Sequence, residues 1–331
     1  MRSPRAPDGD ARVVAILGTR YADLTIEHQA LGPAGAVIVT APGTTRQEII
    51  EVAGGAEVVL AGAAPRFDAA TLDGLDAVGI VRYGVGVDSI DLDAARRRGM
   101  WVVNVADYGT EAVALHTVAL ALGALRRIPM ADRRVRSGEW GLGGLRPLRL
   151  LSGLTLGIVG YGRIGRRVGE LLAALGFGTV LVADPFATPT DPTIAHVELD
   201  DLLERADVVT LHSSPPAGGP LLDAGRLGRM RPGSVLVNTA RGALVDLDAL
   251  IAGLEHGVPG VAALDVYPEE PPALALNGAA ADRLILTPHM AWYTEETERD
   301  LRAQAAAEAL RLLRGEHPLN AVVEPAAARG R

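Results

Sequence analysis

Leu156-Gly-Ile-Val-Gly160-Tyr-Gly162-Arg-Ile-Gly165 is the segment that decides the fold. An apolar run leads into three glycines spaced Gly-x-Gly-x-x-Gly, and a helical pattern follows over residues 163–175. The first glycine allows a tight turn, the second lets a pyrophosphate approach the backbone, and the third lets the helix pack closely on the strand. Free N–H groups at the start of the helix favour an anion there. The segment therefore predicts a strand, a turn and a helix that bind a dinucleotide.

An acidic residue at the end of the next apolar run supports this interpretation. Asp184 lies 19 residues after Gly165 (184 − 165 = 19), the spacing at which an acid meets the ribose hydroxyls of such a cofactor. Its charge would repel a 2′-phosphate, which favours NAD over NADP. The simpler alternative is a turn with an aspartate that caps something local. The predicted cofactor contacts here are Gly160, Tyr161, Gly162, Arg163, Ile164, Gly165 and Asp184.

On both sides of this segment, short apolar runs alternate with helical patterns. One series runs from residue 12 to residue 104 and a second from residue 155 to residue 286. This alternation predicts an α/β protein with mostly parallel sheets and helices on both faces. Between the two series, residues 110–127 are apolar almost all round and predict a buried helix, and residues 140–152 read as an irregular arm.

Composition excludes several classes of function. The 331 residues contain no cysteine, and all 32 basic residues are arginine, so thiolate metal sites, cysteine nucleophiles and Schiff-base lysines are absent. The net charge of −8 disfavours nucleic acid as a partner. We expect no signal peptide, no membrane segment, no metal site and a cytoplasmic location, in a composition typical of GC-rich bacterial genomes. The cluster of His196 with the acids at 198, 200 and 201 lacks ligand spacing.

Three polar segments follow apolar strands in the second series. They contain Arg241 in Asn-Thr-Ala-Arg-Gly, Glu270 in Asp-Val-Tyr-Pro-Glu-Glu-Pro, and His289 in Thr-Pro-His. Reduction of a ketone needs a proton donor that titrates near neutral pH, which is the property of histidine. A carboxylate favours the charged imidazole, and a guanidinium grips a substrate carboxylate in a fork. Each residue alone could be an ordinary turn or surface residue, whereas together they predict hydride-transfer chemistry on an oxo acid.

The order of these motifs resembles that of the D-isomer-specific 2-hydroxyacid dehydrogenases over nearly the whole chain. The resemblance extends to Val81-Arg-Tyr-Gly-Val-Gly-Val-Asp88, which is similar to the family's substrate-carboxylate loop. It implies that Arg241 binds substrate, that Glu270 pairs with the acid/base His289, and that Val85 and Gly86 hold the carboxylate. The further cofactor contacts that it implies are His212, Thr239, Ala240 and Asp265.

The family resemblance also implies an architecture. A Rossmann-type NAD domain over residues 107–290 is inserted into a flavodoxin-like substrate domain made of residues 1–106 and 291–331. Both domains are doubly wound parallel sheets, and closure of one on the other excludes water during the reaction. The resemblance further implies a homodimer, through the cofactor domain and the arm at residues 140–152.

Within the family, the C-terminal-binding-protein-like branch is the most similar. His289-Met-Ala-Trp292-Tyr-Thr-Glu295 resembles its His-x-Ala-Trp-Tyr-Ser-Glu segment, which makes Trp292 a candidate pocket wall and Arg82 a second carboxylate contact. Phosphoglycerate dehydrogenases usually carry Arg-Ser where this chain has Gly62-Ala63, and no regulatory domain is expected after the last helix. We therefore expect a non-phosphorylated 2-oxo acid as substrate. The alternative is an NAD(H)-sensing, corepressor-like interaction protein with residual turnover.

Overall fold

The computed structural model describes residues 12–274 and 278–325. Its contacts divide the chain into a continuous unit, Gly109–Tyr293, and a discontinuous unit formed by Met1–Tyr108 and Thr294–Arg331. The predicted boundaries, after residues 106 and 290, fall two and three residues before these divisions (108 − 106 and 293 − 290). The prediction about a signal peptide concerns the first ten residues, which lie outside the described residues.

The continuous unit is built on a seven-stranded sheet whose paired strands are all parallel. Its strand order is β12-β11-β10-β9-β6-β7-β8, the order expected of a doubly wound dinucleotide-binding sheet. The strands are β6 (Thr155–Val159), β7 (Thr179–Ala183), β8 (Ile194–His196), β9 (Val208–Leu211), β10 (Val235–Asn238), β11 (Val261–Leu264) and β12 (Leu284–Leu286). The helices are α5 (Thr110–Leu125), α6 (Ile128–Arg136), α7 (Arg163–Ala174), α8 (Leu199–Arg205), α9 (Ala224–Arg229), α10 (Leu247–His256) and α11 (Gly278–Arg283).

Burial explains why the apolar runs of this unit form strands. Every residue of β9, β10 and β11 is buried, because helices cover both faces of a parallel sheet. The predicted buried helix corresponds to α5, whose alanine, valine and leucine side chains pack into the same core as β6 and α7. It ends at Leu125 and not at residue 127, because Arg127 adopts a left-handed backbone with φ of 54°.

The discontinuous unit is built on a six-stranded sheet of order β13-β5-β4-β3-β1-β2. Its first five strands are parallel, and β13 pairs antiparallel with β5 at one edge. The strands are β1 (Arg12–Leu17), β2 (Ala36–Ala41), β3 (Val58–Ala61), β4 (Gly79–Arg82), β5 (Trp101–Val103) and β13 (Ala321–Val323). The helices are α1 (Thr25–Leu31), α2 (Arg46–Ala53), α3 (Ala69–Asp73), α4 (Leu92–Arg98) and α12 (Glu295–Leu313). The prediction of two doubly wound parallel α/β sheets is therefore confirmed.

Among the described residues, no single helix has the length and apolar character needed to cross a membrane. The consecutive helices α5 and α6 meet those criteria only as a pair, with a bend of 58° between them.

Candidate active site

The two residues predicted to act as an acid/base pair lie in contact in the continuous unit. His289 follows β12, Glu270 lies in the loop after β11, and the imidazole Nδ1 is 2.7 Å from the carboxylate Oε2. The side chains of His289 and Glu270 are 43% and 38% exposed, so the pair is open to solvent and to a ligand. The other carboxylate oxygen of Glu270 accepts the backbone N–H of Tyr267 at 3.1 Å, which fixes its direction. With Nδ1 engaged, the imidazole has its Nε2 left to serve as a proton donor or acceptor.

The buried Asp265 fixes the loop that carries His289 through hydrogen bonds. This aspartate is fully buried, and its two oxygens accept the backbone N–H groups of Met290 and Ala291, both at 2.9 Å. It also accepts the hydroxyl of Thr287 at 2.6 Å. His289 itself has φ of 52°, a backbone conformation that non-glycine residues adopt only when their surroundings impose it. Asp265 thus fixes both sides of the histidine.

Arg241 is placed by a polar turn at the end of β10. The Asn238 side chain accepts the N–H of Ala240 at 3.1 Å and donates to the carbonyl of Arg241 at 2.8 Å. The next residue, Gly242, packs against the backbone of Tyr267, where a Cβ atom would collide with the carbonyl carbon. The absence of a side chain at Gly242 therefore brings the Arg241 turn directly against the loop that carries Glu270.

The glycine-rich loop has the space that a dinucleotide requires. Gly160 has φ of 88°, and a Cβ there would lie 2.7 Å from the carbonyl carbon of His212. A Cβ on Gly165 would collide with the carbonyl oxygen of Gly160, so this glycine allows α7 to approach β6. By contrast, a Cβ on Gly162 would meet no atom within 4 Å. Gly162 therefore leaves an open face at the start of α7, where a pyrophosphate would lie.

Asp184 lies at the end of β7, beside this loop. Its carboxylate accepts the backbone N–H groups of Tyr161 at 2.6 Å, Phe186 at 2.7 Å and Ala187 at 2.9 Å. Burial alone would raise the pKa of Asp184, but the three N–H donors outweigh it and lower the pKa below its usual range. The aspartate is therefore ionised at neutral pH, as repulsion of a 2′-phosphate requires.

Two other predicted cofactor residues lie around the same end of the sheet. His212 follows β9, and burial lowers the pKa of its imidazole to about 3, so the ring is neutral. Its buried Nε2 has no hydrogen-bond partner among the described residues. The hydroxyl of Thr239 lies 2.8 Å from that of Thr117 on α5, so this hydroxyl already has a partner within the protein. Residues Arg163 and Ile164 open α7, and Ile164 packs into the core.

The predicted carboxylate loop belongs to the discontinuous unit and follows β4. Arg82 donates to the carbonyl of Tyr83, and the carbonyl of Val85 accepts the side-chain amide of Asn104 at 2.8 Å. Gly84 has φ of 131°, and a Cβ on it would lie 3.7 Å from the hydroxyl of Tyr108. Sequence reasoning missed Tyr108, although a tyrosine shortly after a strand end was a visible signal. Asn104 thus anchors the segment that carries the backbone N–H group of Gly86.

Trp292 and His116 complete the surroundings of His289 within the continuous unit. The indole N–H of Trp292 donates to the carbonyl of His289 at 3.1 Å, so this tryptophan buttresses the histidine backbone. His116 on α5 points its Nε2 at the Thr287 hydroxyl, 3.2 Å away, and at Asp265, 3.7 Å away. Thr287 was also missed, because a threonine before a proline carries no signal of its own.

Residues 12–274 and 278–325 contain no group of three or more histidines or acids that could hold a metal ion. Of the acids considered near His196, Asp200 pairs with Arg226 at 3.1 Å and Asp201 with Arg205 at 2.6 Å. The open face at Gly162, the ionised Asp184 and the unpartnered Nε2 of His212 together fit a dinucleotide.

Comparison with known proteins agrees with this geometry. Residues 118–291 match the family model described as the D-isomer specific 2-hydroxyacid dehydrogenase, NAD binding domain. A D-3-phosphoglycerate dehydrogenase of Archaeoglobus fulgidus is 34% identical over 290 residues, which cover 86% of this chain and 54% of the relative. The chain belongs to the D-isomer specific 2-hydroxyacid dehydrogenase family. It spans about half the length of the curated relatives that it matches.

Solved structures match almost the whole chain. The TT0316 protein of Thermus thermophilus is 34% identical with a TM-score of 0.84, over 94% of this chain and 100% of that one. The D-lactate dehydrogenase of Aquifex aeolicus, solved with NAD and lactic acid, is 27% identical with a TM-score of 0.83, over 95% and 100%. The predicted family and its cofactor, NAD, are confirmed. The C-terminal-binding-protein-like branch within the family stays a prediction.

Proposed function

We propose that this family member is an NAD-dependent oxidoreductase that reduces a small, non-phosphorylated 2-oxo acid to its D-2-hydroxy acid. The observation that carries the proposal is the 2.7 Å contact between His289 and Glu270. A histidine with one nitrogen held by a carboxylate and the other accessible is the arrangement that carbonyl reduction needs. In this proposal residues 107–290 form the cofactor domain, and residues 1–106 and 291–331 form the substrate domain.

The chemistry divides among three side chains. NADH, when bound, supplies the hydride for the carbonyl carbon. The His289 imidazolium donates its Nε2 proton to the carbonyl oxygen, while its Nδ1–H remains hydrogen bonded to Glu270. The negative charge of Glu270 stabilises the imidazolium before that transfer. Arg241 binds the substrate carboxylate through two parallel N–H bonds and so orients the carbonyl.

A tight backbone contact supports a substrate without a phosphate group. The family resemblance associates phosphate binding with an arginine directly after the strand that is β3 here, and this chain has Gly62 at that position. A Cβ on Gly62 would collide with the carbonyl oxygen of Gly18, so the position has no room for an arginine side chain.

The phosphorylated alternative rests on the relatives named D-3-phosphoglycerate dehydrogenase and on one nearby arginine. Arg66 lies four residues after Gly62 and lines a groove with Thr44 and Arg46 at the start of α2. If the substrate carried a phosphate, Arg66 would be the side chain to bind it. Substitution of Arg66 by glutamine therefore separates the two substrate classes.

The decisive experiment measures NADH oxidation over a panel of 2-oxo acids. The panel contains glyoxylate, hydroxypyruvate, phenylpyruvate, branched and thioether 2-oxo acids, and 3-phosphohydroxypyruvate. We expect turnover with a non-phosphorylated acid, and an unchanged KM for that acid in Arg66→Gln. A preference for 3-phosphohydroxypyruvate that disappears in Arg66→Gln would overturn the substrate assignment. Binding of NADH without turnover across the panel would instead favour the sensing protein.

We also propose that the protein forms a homodimer through its arm. The segment between α6 and β6 exposes large apolar side chains, including Trp140 at 89% and Leu150 at 79%. Exposed apolar side chains that lie close together mark interaction sites. A Trp140→Ser, Leu150→Ser double variant should lower the mass measured by light scattering from that of a dimer to that of a monomer. An unchanged mass would remove the arm from the interface.

A further inference from the structure

The continuous unit has a second cavity at the end of its sheet opposite the candidate active site. It lies where β6, β9 and β10 begin, whereas the glycine-rich loop, Arg241 and His289 all follow strand ends. Its volume is about 220 Å³. This is below the roughly 300–1,000 Å³ of drug-sized ligand sites, so only a smaller ligand would fit. We call it the amino-end cavity, and it is lined by Arg127, Arg149, Arg231 and Asp207 together with the apolar Leu154 and Val235.

Among the described residues, Asp207 is the one carboxylate that lines this cavity, and both of its oxygens already have partners. Asp207 Oδ2 accepts the backbone N–H of Thr155 at 2.9 Å. Its Oδ1 lies 3.0 Å from the guanidinium of Arg149 and 3.5 Å from that of Arg231. Two arginines therefore share one aspartate, and with Arg127 the lining described here carries an excess of two positive charges.

Arg127 is the lining arginine that does not pair with Asp207. Its Nη1 donates to the carbonyl of Gly260 at 3.2 Å, and within the described residues no carboxylate lies within 4.0 Å of it. Burial, and then the neighbouring charge of Arg283, lower the pKa of Arg127 below its usual range. The half-buried guanidinium thus bears a desolvation cost without a counter-ion, and an anion would relieve that cost.

The backbone of Arg127 supports a specific role for this side chain. Its φ of 54° lies in the left-handed region, where arginine is uncommon and strained. This conformation lies at the bend between α5 and α6, and the guanidinium reaches the carbonyl of Gly260, just before β11. A glycine or an asparagine would make the same bend at lower cost, so the bend by itself does not require an arginine.

We propose that the amino-end cavity binds a small anion with an oxyanion head, phosphate or carboxylate, and an apolar body. Arg127, Arg149 and Arg231 bind the head through charge-assisted hydrogen bonds. The apolar body packs against Leu154 and Val235. The volume excludes a dinucleotide, so this ligand is distinct from the cofactor. The proposal does not depend on the reaction proposed above, because its readout is binding.

Calorimetric titration of the full chain tests this proposal, with NAD at saturation so that the cofactor's own phosphate site is filled. The probes are inorganic phosphate, hexyl phosphate and hexanoate at constant ionic strength. We expect one site per chain, with the six-carbon probes binding more tightly than inorganic phosphate. The stronger of hexyl phosphate and hexanoate identifies the preferred head group.

The variants make the result specific to the cavity. Arg127→Asn removes the guanidinium and suits the left-handed backbone, and we expect it to weaken binding at least tenfold. Arg231→Gln should have an effect of the same kind and serves if Arg127→Asn unfolds. Arg136→Gln removes an exposed arginine paired with Asp132 and should bind within twofold of wild type. Equal binding in all four proteins, or no binding of any probe at 10 mM or below, about the range of weak metabolite sites, would overturn the proposal.

Discussion

Two carboxylate–cation pairs in this protein have similar contact distances and opposite surroundings. In the discontinuous unit, Arg302 on α12 lies 2.7 Å from Glu27 on α1, and both side chains are buried. In the continuous unit, His289 lies 2.7 Å from Glu270, and both are more than one-third exposed. The buried pair has further protein partners: Tyr83 donates to Glu27 at 3.1 Å, and Arg302 also donates to the carbonyl of Asp23.

The difference shows how to separate a structural pair from a chemical one. Nε and Nη2 of Arg302 donate to protein oxygens, and its guanidinium lies 4.5 Å from the centre of the Tyr21 ring, so the protein itself supplies the partners of these groups. The exposed pair is fixed only on one side, by the N–H of Tyr267 and by the loop anchored at Asp265. The imidazole nitrogen not bound to Glu270 remains available. Contact distance alone would not distinguish the two pairs.

The largest expected effect is on turnover at the exposed pair. His289→Asn should lower kcat/KM for the preferred 2-oxo acid by about 10²–10⁴-fold, because it removes the proton donor while asparagine tolerates the left-handed backbone. Glu270→Gln should also lower kcat/KM, by a smaller factor, and should leave the thermal unfolding midpoint nearly unchanged. Steady-state NADH oxidation measures both. Glu269→Gln, the exposed neighbour, is the matched control, and a loss of turnover equal to that of Glu270→Gln would remove the assignment.

The next effect is on stability at the buried pair. Glu27→Gln leaves the Arg302 guanidinium buried without its counter-charge, which should cost about 3–5 kcal/mol of unfolding free energy. Denaturant titration measures this cost. Asp93→Asn breaks an exposed pair with Arg96 at 2.5 Å and should cost at most about 1 kcal/mol. Equal losses of unfolding free energy in Glu27→Gln and Asp93→Asn would contradict the structural role of the buried pair. A kcat loss in Glu27→Gln as large as that in Glu270→Gln would contradict it as well.

Local sequence predicted the strands of the continuous unit because burial on both faces leaves uninterrupted apolar runs. It failed where an element depends on a distant partner. The sequence of α1 is polar and does not indicate a packed helix. Its Glu27 can be buried because Arg302, 275 positions away, neutralises its charge. The edge strand β13 exists through antiparallel pairing with β5, and β2 is an edge strand with several half-exposed residues. None of these partners is visible in a short window of sequence.

The candidate site also has one feature that the sequence predicted and one that it could not. The order of the motifs predicted Glu270 and His289 as partners, and their side chains are in contact. Spacing could not indicate where the carboxylate of Asp265 points, because that depends on the fold of the 287–291 segment around it. Its two oxygens hold the backbone of the His289 loop. Its contact with the nicotinamide end of the cofactor stays a prediction.

A second imidazole, that of His212, extends the comparison to pH. The folded pKa of His212 is about 3, lowered by burial, whereas in the unfolded chain it is about 6.5. The neutral ring is favoured in the fold, so its contribution to stability is complete above the unfolded pKa and is lost as pH falls from there towards the folded pKa. Between pH 7.5 and pH 5, protonation of this residue alone should lower the unfolding free energy by about 2 kcal/mol.

His212→Gln isolates this contribution, because glutamine does not titrate and all other groups are common to both proteins. The unfolding free energy of wild type relative to the variant should therefore decline by about 2 kcal/mol when urea titrations at pH 7.5 and pH 5 are compared. A difference that stays constant with pH would mean that the His212 ring accepts a proton in the folded protein. Burial after β9 would then not keep this ring neutral.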